Sequence, residues 1–145
     1  MTDEDHIKTA CLQDAELEKT KLWAIVGEWT PAATDCAPHL NGRHRGSRYD
    51  GTYDGIVSTR SCEGLTGDAQ QFSRSYKKFL GEYWEAQAST YERASVGWIQ
   101  WTWKTESADE WSYKAGLENK WIKTIPATRS EGEQTYPDVE FCNRR

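Results

Sequence analysis

Leu22-Trp23-Ala24-Ile25-Val26-Gly27-Glu28-Trp29 is the stretch on which the fold turns. From Leu22 to Val26 it is continuously apolar, and it ends at Gly27-Glu28. An unbroken apolar run bounded by polar residues reads as a strand buried on both faces, the habit of parallel sheets. The run is too short for a helix. Glu28 then stands at the C-terminal end of a buried strand, the edge where barrel enzymes place their catalytic groups. A carboxylate flanked by Val26 and Trp29 is expected to be partly desolvated, which is costly unless the group is paired or used.

Outward from this strand the pattern alternates. On its N-terminal side, Thr2 is placed to cap a short helix with Ile7, Ala10 and Cys11 on one face, and a polar connector runs from Gln13 to Lys21. On its C-terminal side, residues 30–68 are loop-like, with Pro31, Pro38 and repeated glycines among polar residues. Loops of this length are usually functional or stapled, and Cys36 and Cys62 both lie inside it. From Ser73 to about Arg93, Tyr76, Phe79, Leu80, Tyr83, Trp84 and Gln87 recur at helical steps, with Lys and Glu on the other face. Trp98-Ile99-Gln100-Trp101-Thr102-Trp103 is rich in aromatic and β-branched residues and reads as a second strand, with Ile99, Trp101 and Trp103 on one face. A second helix is predicted from about Asp109 to Asn119, with Trp111, Ala115 and Leu117 inward. The acidic pair Asp109 and Glu110 is expected to cap that helix. The tail from Ile125 to Arg145 reads as irregular.

The order is helix, strand, long loop, helix, strand, helix. It implies an α/β fold with parallel strands and helical crossovers. Two strands are too few for a sheet buried on both faces, and 145 residues are too few for a complete (β/α)₈ barrel, which takes about 250. The chain reads as one quarter of a barrel with its outer helices.

Composition narrows the function classes. The formal net charge is −5, which gives no broad basic surface for nucleic acid. Arg43, His44, Arg45 and Arg48 form only a local cluster in a glycine-rich loop. No apolar run is long enough to span a membrane. Met1-Thr2-Asp3-Glu4-Asp5 is acidic and resembles no secretory signal, so the protein is cytosolic or its true N-terminus lies further upstream. Eight Trp and seven Tyr stand beside three Phe and one Met. Trp and Tyr join a flat apolar face to a polar handle, which suits wet sugar-binding clefts as well as cores. Cys11, Cys36, Cys62 and Cys142 show no metal-ligand spacing, and an even number is compatible with two disulfides in any of three pairings. His6, His39 and His44 are scattered, and no phosphate-binding glycine loop follows a strand.

Trp23-Ala24-Ile25-Val26-Gly27-Glu28-Trp29-Thr30-Pro31-Ala32, followed by Thr34-Asp35-Cys36-Ala37, resembles the nucleophile-bearing strand of the fungal exo-1,3-β-glucanases of glycoside hydrolase family 5. Leu40-Asn41-Gly42-Arg43, with Arg45-Gly46, Arg48-Tyr49 and Gly51, resembles the loop that follows in that family. Residues 97–106 and 110–113 resemble its last barrel strand and the start of its last helix. Tyr136-Pro137 ahead of Cys142 is similar to its closing segment.

The resemblance implies that residues 1–145 are the C-terminal portion, the last two strands and helices, of a TIM (β/α)₈ barrel whose N-terminal part is missing. It implies a retaining mechanism with Glu28 as nucleophile, Trp101 as the platform beneath the terminal glucose, and Asn41 and Arg45 in the loop that closes the glucose pocket. The general acid of that family has no counterpart here, and neither Glu106 nor Glu110 is promoted to the role. The implied bridges are Cys11–Cys142 and Cys36–Cys62. The implied partner is a β-glucan polysaccharide or oligosaccharide, with no nucleic acid, membrane, metal or organic cofactor. The implied location of a full-length member is extracellular or in the cell wall.

Overall fold

The computed structural model describes residues 1–123 and 142. Among them are α1 (Asp3–Leu12), α2 (Asp14–Leu17), β1 (Val26–Trp29), α3 (Arg74–Ala94), β2 (Trp98–Gln100) and α4 (Tyr113–Glu118). Two 3₁₀ turns, Ala69–Gln71 and Asp109–Trp111, lead into α3 and α4. The two strands pair in parallel, so the architecture is mixed helix and strand around a small parallel sheet. Apart from Cys142, the predicted irregular tail lies outside the described residues.

Both long helices start where the sequence places a cap. The Thr2 side chain accepts from the Asp5 amide and the Asp5 carboxylate accepts from the Thr2 amide, a reciprocal pair that satisfies two end donors. This fixes α1 so that Ile7, Ala10 and Cys11 are buried, as the periodicity indicates. The Ser73 hydroxyl accepts from the Tyr76 amide at 3.1 Å and opens α3. Tyr76, Phe79, Leu80, Trp84 and Gln87 of α3 are buried as predicted, and Tyr83 is half-buried against the same core.

Glu82 and Glu85 depart from the prediction, being buried rather than turned to solvent. The reason is tertiary: α1, α2 and β2 all pack on α3, so its polar side is partly wrapped as well. Lys78 reaches along the helix to pair with Glu82. The polar connector after α1 also holds α2, whose buried Asp14 pairs with Arg93 of α3 at 3.0 Å.

The strand prediction needs correction. The regular strand begins at Val26, and Leu22, Trp23 and Ile25 are exposed, Trp23 by 91%. Burial on both faces is not found, because α3 covers one face and no other described element covers the second. Backbone pairing nonetheless reaches back to Ala24, whose carbonyl accepts from the Val96 amide at 2.9 Å.

The last predicted helix is also split. It breaks at Ser112, whose hydroxyl accepts from the Ala115 amide at 3.0 Å and makes Ser112 the cap of α4. Asp109 and Glu110 therefore do not cap α4. The Asp109 carboxylate instead accepts from the Ala69 amide, 2.9 Å away.

The core is aromatic. Trp29 of β1 meets Trp98 of β2 and Trp84 and Tyr91 of α3 at ring-centroid distances of 5.0, 6.2 and 5.4 Å. These tilted and edge-to-face contacts suit aromatic quadrupoles. The buried Trp84 indole donates to the Gln100 side-chain oxygen at 2.7 Å, locking α3 to β2. Two disulfides close the chain, Cys11–Cys142 and Cys36–Cys62, the pairs that the resemblance implies.

Candidate functional site at the strand ends

A local irregularity aims Glu28. Val26 pairs with Trp98 and Trp29 with Gln100, with a bulge between them. Regular alternation turns residues three apart to opposite faces, whereas Val26 and Trp29 both pack toward the core. The bulge accommodates this and leaves Gly27 and Glu28 exposed together. The Glu28 carboxylate is therefore exposed in this chain, not partly desolvated as its flanking residues suggest.

Parallel pairing puts the C-terminal ends of both strands at one edge. There the Trp101 amide donates to the Trp29 carbonyl at 2.8 Å, which carries the ladder one residue beyond β2. Ile99, Trp101 and Trp103 are all exposed, Trp101 by 54%, but the strand predicted to run to Trp103 ends at Gln100, so Trp101 and Trp103 lie beyond the regular alternation that would set them on one face with Ile99. The peptide bond between Trp101 and Thr102 is cis. Glu28 and Trp101, singled out separately in the sequence, are thus brought to the same sheet edge.

At the Trp101 side of this edge lies an open cavity of about 220 Å³, which Glu28 does not line. Trp101 and Trp111 contribute to it, with Pro38, His39 and Leu40 from the long loop and residues 105–108 on the other side. It offers an aromatic face ringed by polar groups, the combination that holds a sugar by its C–H face and hydroxyls. Residues 105–108 are contributors that the sequence reading missed, because no motif marks a turn as a wall.

The loop that supplies the first wall is organised by Asp35, also missed in the sequence. Its carboxylate accepts from the Ser47 hydroxyl at 2.5 Å, the Asn41 amide at 2.8 Å, and the backbone N–H groups of Arg48 and Tyr49 at 2.9 and 3.0 Å. Burial raises the affinity of Asp35 for a proton, but the Ser47 hydroxyl, the Arg48 amide and the other donors outweigh it. They hold the group well below its ordinary value. Gly46 is required within this loop, because a Cβ there meets the Thr52 backbone at 2.5 Å.

Asn41 and Arg45, the predicted pocket residues, are deployed differently from one another. The Asn41 side chain is engaged inside the loop, donating to Asp35 and the Gly46 carbonyl and accepting from Arg48 at 2.6 Å. Arg45 is exposed and lies over the Tyr53 ring at 5.6 Å, with Arg48 at 4.4 Å from the same ring. Neither belongs to the cavity beside Trp101. Among the described residues no group of three or more His, Cys, Asp or Glu is arranged to hold a metal ion, and no helix is long and apolar enough to cross a membrane.

Asp35→Asn is expected to loosen this loop by about 2–3 kcal/mol, since it puts two donors where four groups already donate. Hydrogen exchange of the Arg48 and Tyr49 amides reads this directly, as an acceleration of about a hundredfold. Because folding lowers the Asp35 value, its contribution is complete above the ordinary carboxylate range and is lost as pH falls below it. Unchanged exchange in the variant means that the Cys36–Cys62 bridge alone holds the loop.

No family model matches the chain. Comparison with curated proteins gives a consistent result. The chain is 42% identical over 136 residues to "Probable glucan 1,3-beta-glucosidase A" of Aspergillus niger, covering 92% of this chain and 32% of the relative. It is 45% identical over 112 residues to "Glucan 1,3-beta-glucosidase" of Candida oleophila, covering 77% and 26%. It is 40% identical over 116 residues to the protein of that name from Yarrowia lipolytica, covering 80% and 27%. The chain spans less than a third of the length of each of these relatives. At this similarity over most of its own length, the chain is a homologue of the fungal glucan 1,3-β-glucosidases.

Proposed function

We propose that this chain is the nucleophile-bearing part of a retaining β-glucan glycosidase that releases glucose from non-reducing ends of 1,3-β-glucan. One observation carries the reading: parallel pairing brings Glu28 and Trp101 to the same strand-end edge, beside an open, Trp-lined cavity. A carboxylate there attacks the anomeric carbon, and the indole holds the apolar face of the sugar. A retaining mechanism needs a second carboxyl about 5–5.5 Å from the first to protonate the leaving group and later activate water. This reading assigns that group to the part of the relatives' length that the chain does not span.

The same assignment explains the open sheet face. Leu22, Trp23, Ile25, Ile99 and Trp103 are exposed apolar residues on or beside two parallel strands, and parallel sheets are covered on both faces. The reading is that residues 1–145 are a portion of a (β/α)₈ barrel whose other strands cover these residues. Asn41 and Arg45 belong to this reading as residues of the loop that helps close the glucose pocket, Asn41 as a support inside that loop. The two disulfides fit an oxidising, extracellular setting.

The test uses a chimera in which this chain replaces its matching segment in the Candida oleophila relative. A 2-deoxy-2-fluoro-β-glucoside with an activated leaving group is expected to form a covalent adduct on Glu28, mapped by peptide mass. An adduct on another residue, or none while the parent protein is labelled, removes Glu28 from the nucleophile role.

A second reading is favoured by the exposure of Glu28 and the half-exposed Trp101: the chain alone binds β-glucan without cleaving it. Laminarin binding without glucose release, lost in Trp101→Ala and kept in Glu28→Gln, distinguishes it.

A further inference from the structure

Glu110 stands apart from every role described above. It is 1% exposed, and among the described residues neither carboxylate oxygen makes a hydrogen bond. It occupies the centre of the 3₁₀ turn Asp109–Trp111, a turn whose backbone fastens two other segments together. On one side, the Asp109 amide donates to the Gly67 carbonyl and the Asp109 carboxylate accepts from the Ala69 amide, both at 2.9 Å. On the other, the Thr102 amide donates to the Trp111 carbonyl, the Tyr113 amide to the Thr102 carbonyl, and the Lys114 amide to the Trp103 carbonyl, all at 2.9 Å. Ala108 and Trp111, on either side of this turn's centre, line the cavity with Trp101.

A buried carboxyl without a partner is costly when charged and tolerable when neutral. The titratable groups facing it are Asp109 in its own turn, which has the same sign, and Tyr76 on α3, whose ionisation Glu110 opposes. Thr66 and the Gly67 backbone, on the segment leading to α3, lie close enough to favour the charged form, although the Thr66 hydroxyl is not in hydrogen-bond geometry. Burial prevails over them and pushes Glu110 up to about 7. The stability gained by burying the neutral carboxyl is therefore complete below the ordinary carboxylate range and is lost as pH rises from there through about 7.

We propose that Glu110 is a positioning residue for Trp101: its neutral carboxyl keeps the 109–113 segment seated, and its ionisation releases Trp111 and the Trp101–Trp103 segment from their places at the cavity. The consequence for sugar binding rests on the glucan-binding reading of that cavity. The seating of Trp101 itself does not.

The experiment follows the fluorine spectrum of the whole chain labelled with 5-fluorotryptophan, from about pH 5 to about pH 9, with Trp101→Phe identifying the resonance. The Trp101 signal is expected to shift with a midpoint near 7 while the circular dichroism stays constant, and to stay flat in Glu110→Gln. Laminari-oligosaccharide affinity is expected to fall by up to about tenfold per pH unit above the midpoint, and to be pH-independent in Glu110→Gln. Thr66→Val, which removes a group favouring the charged form, is expected to raise the midpoint, and it carries the test if the Gln variant does not fold. A flat Trp101 signal in the unsubstituted chain, the same midpoint in Glu110→Gln, or an unmoved midpoint in Thr66→Val overturns the proposal. If Trp101 titrates as expected but no sugar binds at any pH, the positioning role stands and the glucan-binding reading falls.

Discussion

Glu28→Gln, introduced into the Candida oleophila chimera, is expected to lower kcat for laminari-oligosaccharide hydrolysis by on the order of 10⁴-fold. Gln matches Glu in size, and the side chain at this position is exposed, so neither the β1–β2 pairing nor the aromatic core is disturbed. On the proposed mechanism, what is lost is the anionic oxygen that would form the glycosyl bond to the enzyme. An amide oxygen is a poor nucleophile, and the mechanism has no second route to the intermediate. Trp101→Ala in the same chimera provides the contrast. On the same reading it removes a binding face, so its effect is expected mainly in KM, with kcat reduced far less. Glucose release at steady state measures both variants. If Glu28→Gln retains a substantial fraction of the parental kcat, Glu28 is not the nucleophile, and the chain contributes binding alone.

Removal of the Cys11–Cys142 bridge is the second large effect. The bridge closes a loop with a sequence separation of 131, whereas Cys36–Cys62 closes one of 26. In the chain-entropy account the longer closure is worth about 5 kcal/mol and the shorter about 3–4 kcal/mol. The paired substitution Cys11→Ser with Cys142→Ser is therefore expected to lower Tm by roughly 15–20 °C, and Cys36→Ser with Cys62→Ser by several degrees less. Thermal melts of the three proteins without reductant decide the order. The reverse order would mean that α1 is retained by its packing on α3, through Ile7 and Ala10, independently of the bridge.

The elements with strong local signals were legible in the sequence. Thr2 and Ser73 cap their helices because a short side-chain oxygen ahead of an apolar-periodic run satisfies orphan amides wherever that run ends up. The inward face of α3 followed from its three- and four-residue steps. Parallel pairing of the two strands followed from the long crossover between them. Glu28 and Trp101 were singled out at strand ends, and the sheet then set both at one edge.

The sequence by itself determined the order of helices and strands and where α1 and α3 begin, because propensity, capping and periodicity act over a few neighbouring residues. Only the tertiary structure decided what those residues meet. Asp35 gathers four donors from residues 41–49 through the folding of a loop that has no period to read. Glu82 and Glu85 are buried because three elements pack on one helix, although their spacing marks a solvent face. Leu22, Trp23 and Ile25 are exposed although their hydrophobicity marks a core, since burial needs a covering layer that no property of the strand supplies. The bulge that turns Glu28 outward and the turn that encloses Glu110 are likewise products of long-range packing. Side-chain environment is a property of contacts between distant segments, and no local pattern encodes it.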